Sequence, residues 1–260
     1  MLEFRHRLDS AIRAMAPGAG GQLFATYTAA DPHALADTEN VLFYNVGLGC
    51  FAAHTRRALA FERVFAAPPD LPAPASWTPR HHHRYRATSP PAQFEHWRPV
   101  HIAARWGEVP LGPGALAHRE MVWAALARVD TLAELDGRVR YYAIRIRLRG
   151  LRIALANVVK PLIDGVVSSL HCFAGEIPAL VVERLSSSTT TDPSDVRRRL
   201  TDRHRAVLGA RTNLVRLTKN DIAFNPRDED CVAFVIEVAD GNQPRKTGIV
   251  CSVDPQEPAG

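Results

Sequence analysis

Between residues 157 and 173 the chain reads Asn-Val-Val-Lys-Pro-Leu-Ile-Asp-Gly-Val-Val-Ser-Ser-Leu-His-Cys-Phe. Lys160, Asp164, Ser168 and His171 recur there at three- and four-residue steps, so a helix sets them in one row. An ammonium, a carboxylate, a hydroxyl and an imidazole in a row have two readings: a reactive site, or a face turned to solvent. More carboxylates follow at Asp228, Glu229 and Asp230. Mg²⁺ takes hard oxygen ligands, a few carboxylates completed by water and phosphate oxygens. Asp164, Asp228 and Asp230, with Glu229 beside them, are therefore the expected metal ligands, and Mg²⁺ the expected ion. Lys160 is placed to neutralise a phosphate. Lys160, Asp164 and Asp230 make up the expected catalytic set for metal-assisted phosphoryl transfer.

Arginines supply a different chemistry. Arg145, Arg147 and Arg149 alternate with Ile144, Ile146 and Leu148, which reads as a strand with one apolar face and one guanidinium face. Arg197 and Arg198 open a second basic group on an expected helix. These five could meet nucleic-acid phosphates, with Tyr85, Trp106, Tyr141 and Tyr142 to stack bases if the fold gathers them. The opposing reading pairs the arginines with acids of covering elements. Gly47-x-Gly49-x-x-Ala52 after an expected strand suggests a nucleotide-cofactor turn, with Glu62 near a ribose, though bulky Phe51 sits inside it and a plain tight turn accounts for it too. His81 and His83 share a strand face, an edge or half a metal site. Cys50 and His54 stand one helical turn apart, as a thiol–imidazole pair or as core residues.

The elements that must position these groups follow from periodicity. Val158, Val159, Leu162, Ile163, Val166, Val167 and Leu170 form the apolar stripe of the helix that carries Lys160. Pro161 belongs in its first turn, and Asn157 is a good capping type. Phe4, Leu8, Ile12 and Met15 mark an amphipathic first helix. Residues 41–46 are rich in β-formers and read as a strand, residues 59–65 as another, and residues 81–86 as an edge strand. Residues 116–129 read as a helix bearing Trp123. Asp192-Pro193-Ser194-Asp195 is a helix start, with a cap, a first-turn proline and an acid, for a helix running to about Leu208 and stopped by Gly209. The apolar run 231–238 reads as a strand buried on both faces.

Locally, residues 154–160, Ala-Leu-Ala-Asn-Val-Val-Lys, followed by Asp164 and then by Asp228-Glu229-Asp230, resemble RusA-type Holliday-junction endonucleases. That family opens a helix with Asp-x-Asp-Asn-x-x-Lys and places a further acid in an Asp-Asp turn before a strand. Asn157 and Lys160 match, Asp230 matches the distal acid, and Ala154 and Ala156 stand where the family has its two leading acids. The resemblance covers about 25 of the 260 residues and implies Mg²⁺-dependent cleavage of branched DNA.

At 260 residues and 46% hydrophobic content the chain can bury a sizeable core. Strands and helices mix without strict alternation, so the expected class is α+β, a mixed sheet packed with helices. One α+β domain over residues 1–260 is expected, with the proline- and alanine-rich stretch near 66–80 as the one candidate boundary. The four cysteines form no Cys-x-x-Cys pair, which argues against a zinc knuckle and for a reducing, cytoplasmic setting. No apolar run is long enough to span a membrane. A net charge of +5 permits a polyanion partner. The expected function is nucleic-acid binding, in its sharper form an Mg²⁺-dependent endonuclease-like domain. The alternatives are a non-catalytic protein-interaction module and a nucleotide-cofactor enzyme using the turn at Gly47 and Gly49.

Overall fold

The apolar run from residue 231 forms the middle of a large sheet. In the computed structural model, which describes residues 2–15, 22–29, 37–65, 81–88, 94–101, 104–129, 132–133, 141–149, 153–219, 222–239 and 248–259, the chain is α+β. In chain order the strands are β1 (Gln22–Ala29), β2 (Ala58–Val64), β3 (His81–Ala87), β4 (Trp97–Pro99), β5 (Ala104–Pro110), β6 (Leu132–Ala133), β7 (Tyr142–Arg149), β8 (Cys172–Phe173), β9 (Ala210–Arg211), β10 (Val215–Leu217), β11 (Ile222–Phe224), β12 (Cys231–Ala239) and β13 (Gly248–Pro258). The helices are α1 (Leu2–Ala14), α2 (Arg119–Leu126), α3 (Val159–Ser169), α4 (Ala179–Thr189) and α5 (Pro193–Thr201). Nine strands make one mixed sheet in the order β3-β1-β2-β12-β7-β13-β5-β6, with β4 added beside β13. β12 runs parallel to β7 and antiparallel to β2, and it is buried on both faces from Cys231 to Ile236. The candidate boundary near residues 66–80 lies outside the described residues.

Register explains the two faces of the sheet. Ile144, Ile146 and Leu148 of β7 stand beside Phe234, Ile236 and Val238 of β12 and beside Val253, Cys251 and Ile249 of β13. This apolar row packs on α3, α2 and α1 in the main core, which includes Ile12, Leu162 and Val166. On the other face Ala143, Ala233 and Val235 meet Trp97 and Phe94. Glu62 fastens that segment down. Its carboxylate accepts the backbone N–H groups of Glu95 (3.0 Å) and His96 (3.1 Å) and pairs with His96 Nδ1 at 2.7 Å.

α3 is enclosed over most of its length, with Lys160 and Pro161 partly exposed at its start. Its apolar stripe is buried as the periodicity requires, but so are Asp164, Ser168 and His171. The polar row is therefore an interior row and not a solvated face. Gly165 lets α2 come close, since a Cβ there would stand 2.6 Å from Val122 Cβ and 2.9 Å from the Arg119 carbonyl. A second cluster of α4, α5, Leu214, Val215, Ile222 and Phe224 closes on Trp123 and Phe173.

Three local expectations change. Residues 41–46 are not a strand: a π-helical turn, Asn40–Tyr44, begins after Glu39, with Asn40 Nδ2 donating to Asp37 Oδ2 at 2.6 Å. Leu42 and Phe43 reach the core from that turn, so burial outweighs β-propensity. Asn157 is not the helix cap. It ends a 3₁₀ turn (Leu155–Asn157) held by Thr55, whose carbonyl accepts from Leu155 N at 2.9 Å and whose Oγ1 accepts from Ala156 N at 3.4 Å. α5 starts as expected, with Asp192 Oδ1 accepting from Ser194 N at 2.8 Å, but it stops at Thr201. Asp202 turns to extended backbone and caps a new turn through His204 N. All four cysteines are buried free thiols.

Candidate functional site

Lys160 sits among four carboxylates. Its ammonium lies 3.2 Å from Asp37, 2.9 Å from Glu39 and 3.0 Å from Asp164, and it donates to Asp228 as well. Arg119 touches the other oxygen of Asp164 at 3.2 Å. Glu39 is wholly buried, whereas Lys160 and Asp37 are partly exposed, so the group opens to solvent on their side. Carboxylate oxygens of Asp37, Glu39 and Asp228 all come within 4.8 Å of one another, near enough for one cation to touch all three.

Three separate pieces of chain meet here. Asp37 and Glu39 lead into the π-helical turn, Lys160 and Asp164 occupy successive turns of α3, and Asp228 opens a 3₁₀ turn (Asp228–Asp230) just before β12. That last turn is braced from three sides. Tyr142 Oη donates to the Arg227 carbonyl at 2.6 Å, Arg63 to the Glu229 carbonyl at 3.4 Å, and Arg227 N–H to His171 Nε2 at 3.3 Å. His171 Nδ1 lies 3.0 Å from the Gly209 carbonyl. The carbonyl accepts from Nδ1–H while Nε2 accepts from the Arg227 N–H, so the ring is neutral with its proton on Nδ1. Burial holds its pKa down to about 4, in keeping with that assignment.

Four carboxylates against two cations leave the group short of positive charge. Burial raises Glu39 to about 8, and the neighbouring acids outweigh part of the help from Lys160. Burial likewise lifts Asp164 to about 6, opposed by Lys160 and Arg119. Desolvation works against charge on Lys160, but Glu39, Asp164 and Asp228 prevail and hold its pKa well above the ordinary value. Burial thus favours the protonated form of Glu39, and Lys160 opposes it. Among the described residues Glu39 Oε2 has no hydrogen-bond partner, although it is buried. A buried carboxyl oxygen with nothing to bond is costly.

No protein-family model, curated protein or solved structure matches the chain. The site therefore has to be read from its own residues.

The structure brings together Lys160, Asp164 and Asp228 of the sequence-derived set. Asp230 turns away, pairs with Arg227 and stays outside the trio. Asp37 and Glu39 enter instead, and they were missed because residues 41–46 read as a strand. An acid-x-acid-Asn string at Asp37-Thr38-Glu39-Asn40 was the available signal. The strand arginines each face an acid: Arg145 meets Asp254 at 3.3 Å and lies over the Phe94 ring, Arg147 meets Glu237 at 4.0 Å, and Arg149 meets Glu108 at 3.0 Å. On α5, Arg198 pairs with Asp195 at 2.7 Å and Arg197 is exposed. The glycine turn leads into a four-residue 3₁₀ turn, Leu48–Phe51, with Phe51 deep in the core and Glu62 occupied by His96. His81 bonds the Tyr27 hydroxyl at 2.7 Å, and β3 is an edge strand. Cys50 is pushed up to about 11 by burial and by Asp9, which suits a core thiol and not a nucleophile.

Proposed function

We propose that this protein is a divalent-cation-dependent phosphodiesterase acting on nucleic acid, with Asp37, Glu39 and Asp228 as the cation ligands and Lys160 as the phosphate-facing cation. The observation that carries the reading is the convergence of those three carboxylates beside a lysine on the solvent-open side of a buried, acid-rich cluster. An Mg²⁺ or Mn²⁺ ion held there supplies a Lewis acid and an acidified water. Asp164 orients Lys160 from one helical turn away, and Arg119 holds Asp164 in place. Glu39 gives up its proton when a cation binds, as metal ligands must. Asp37 and Glu39 bring two acids to Lys160 where the neighbouring Ala154 and Ala156 offer none. The net charge of +5 and the exposed Arg197 suit a polyanionic substrate.

The position of the Lys160 ammonium, within reach of all four carboxylates, favours a second reading. There the cluster is a structural knot in a non-catalytic nucleic-acid-binding protein. Mn²⁺ titration and cleavage assays on branched, duplex and single-stranded substrates separate the two. The enzyme reading expects Mn²⁺ to bind, and it expects slow metal-dependent cleavage that is lost in Asp228→Asn and Asp164→Asn. Wild-type protein that neither binds Mn²⁺ nor cleaves any of these substrates would leave the knot standing.

A further inference from the structure

Away from the acidic cluster, a cavity of about 270 Å³ lies where the C-terminal end of α2 meets α5 and the 3₁₀ turn Arg203–Arg205. Its wall carries Arg128, Arg198, Arg199, Arg205 and His204, with Asp202 as the acid among them. Asp195 adds a second carboxylate, at 2.7 Å from Arg198 and 3.6 Å from Arg199. Among the described residues four guanidiniums and two carboxylates gather around this one small space.

The guanidiniums are held before any ligand arrives. Arg199 donates to the Ala124 carbonyl at 3.3 Å, and Arg205 to those of Leu126 (2.7 Å) and Ala127 (3.2 Å). Arg128 is fixed by Thr191 Oγ1 at 2.7 Å and the Thr189 carbonyl at 3.4 Å. The end of α2 attracts cations through its unpaired carbonyls, which accounts for Arg199 and Arg205. It does not account for two further guanidiniums in the same wall. Arg199 is more than nine-tenths buried, and among the described residues its Nε has no hydrogen-bond partner. Burial holds its pKa below the ordinary value; Asp195 opposes the shift, and Arg128, Arg198 and Arg205 add to it. Mutual repulsion of this kind is relieved by an anion.

We propose that this cavity is a phosphate-binding site, taking a phosphate dianion or the terminal phosphate of a monoester. Planar forks with their orientations already fixed suit a phosphate better than a halide. The volume is below the roughly 300–1,000 Å³ of ordinary ligand pockets, so it admits a phosphate with little attached. The same chemistry is offered by a free phosphomonoester and by a phosphorylated nucleic-acid end. The inference does not rest on the acidic cluster.

Calorimetry and thermal unfolding of the full chain with inorganic phosphate, against chloride at matched ionic strength, test it. Phosphate should bind saturably and raise the melting temperature beyond the chloride control. Arg198→Gln, on the exposed rim where folding is safe, and Arg128→Gln should each weaken phosphate by about tenfold. Asp228→Asn, in the other site, should leave phosphate affinity unchanged. Displacement of phosphate by a 5′-phosphorylated oligonucleotide but not its 5′-hydroxyl twin supports the proposal with a nucleic-acid end as the source. Displacement by glycerol phosphate alone supports it with a small ester. Equal effects of phosphate and chloride, or unchanged phosphate affinity in Arg198→Gln, would overturn it.

Discussion

Arg119, the first residue of α2, reaches Asp164 in the middle of α3 at 3.2 Å across a helix contact that Gly165 makes possible. The two helices approach so closely beside Gly165 that one methyl group has no room. An electrostatic contact of the candidate site thus depends on the absence of a side chain next to it.

Gly165→Ala is therefore expected to destabilise the protein. Filling a helix with alanine in place of glycine normally gains ~0.5–1 kcal/mol. Overpacking a close contact costs ~1–3 kcal/mol, and here one obstacle is the Arg119 backbone carbonyl, which cannot swing aside. Denaturant melts should show a net loss. A gain in stability would mean that α2 and α3 stand far enough apart to admit a methyl group.

Leu162 tests the apolar stripe of α3. It is fully buried in the main core. Leu162→Ala should cost ~2–5 kcal/mol where the cavity cannot collapse. An unchanged denaturation midpoint would place the apolar stripe of this helix elsewhere.

Stability should vary with pH through three buried groups that pull in opposite directions. Glu39 has its pKa raised from 4.5 to about 8, so the folded state holds the extra proton and stability declines as pH rises through that window. Asp164, raised from 3.8 to about 6, acts in the same direction at lower pH. His171 is lowered from 6.5 to about 4, so the unfolded state takes the extra proton and stability is lost as pH falls from 6.5 towards 4. In pH-dependent melts Glu39→Gln should remove the loss of stability that accompanies a rise from pH 4.5 to about 8, and His171→Gln the loss that accompanies a fall from 6.5 to about 4. If a cation binds the trio, Mn²⁺ affinity should increase with pH up to about 8, with proton release measurable in buffers of different ionisation enthalpy. A pH-independent affinity would remove Glu39 from the ligand set.

The two groups of arginines should differ in nucleic-acid binding. Arg147 and Arg149 face acids, whereas Arg197 stands exposed on α5. If α5 meets phosphates, Arg197→Glu with Arg198→Glu should lower affinity for unrelated sequences. The log–log salt slope on duplex DNA should then shrink by about 0.9 for each phosphate that is no longer neutralised. Arg147→Gln should change it less. Equal weakening by both would mean that the strand face is a contact surface after all, and no retention of DNA or RNA at low salt would remove the nucleic-acid reading.

Periodicity carried much of the fold because much of it is local. The i, i+4 pair of Lys160 and Asp164, the alternation of Ile144 to Arg149 and the start of α5 at Asp192 each depend on nearest neighbours along an element. What stayed hidden was long-range. Asp37 and Glu39 reach Lys160 across more than a hundred residues, and no spacing rule connects them. The residues just after them, Val41 to Tyr44, are β-formers drawn into a π-helical turn by the core that receives Leu42 and Phe43. The arginine face of β7 was legible as a face, but its acid partners came from β12, β13 and β5. The row on α3 was legible as a row, but its enclosure depends on α2 and on the turn before β12.

The four thiols make the chain its own reporter. Cys50, Cys172, Cys231 and Cys251 sit in a 3₁₀ turn, a short strand and two central strands. Burial keeps Cys50 and Cys231 protonated far above neutral pH. A maleimide or iodoacetamide reagent can attack only after the local structure opens, so each thiol's labelling rate clocks the opening of its own element. Cys231 directly follows the turn that carries Asp228, so mass spectrometry of its labelling with and without a divalent cation tests whether a cation steadies that turn, with no substrate in hand.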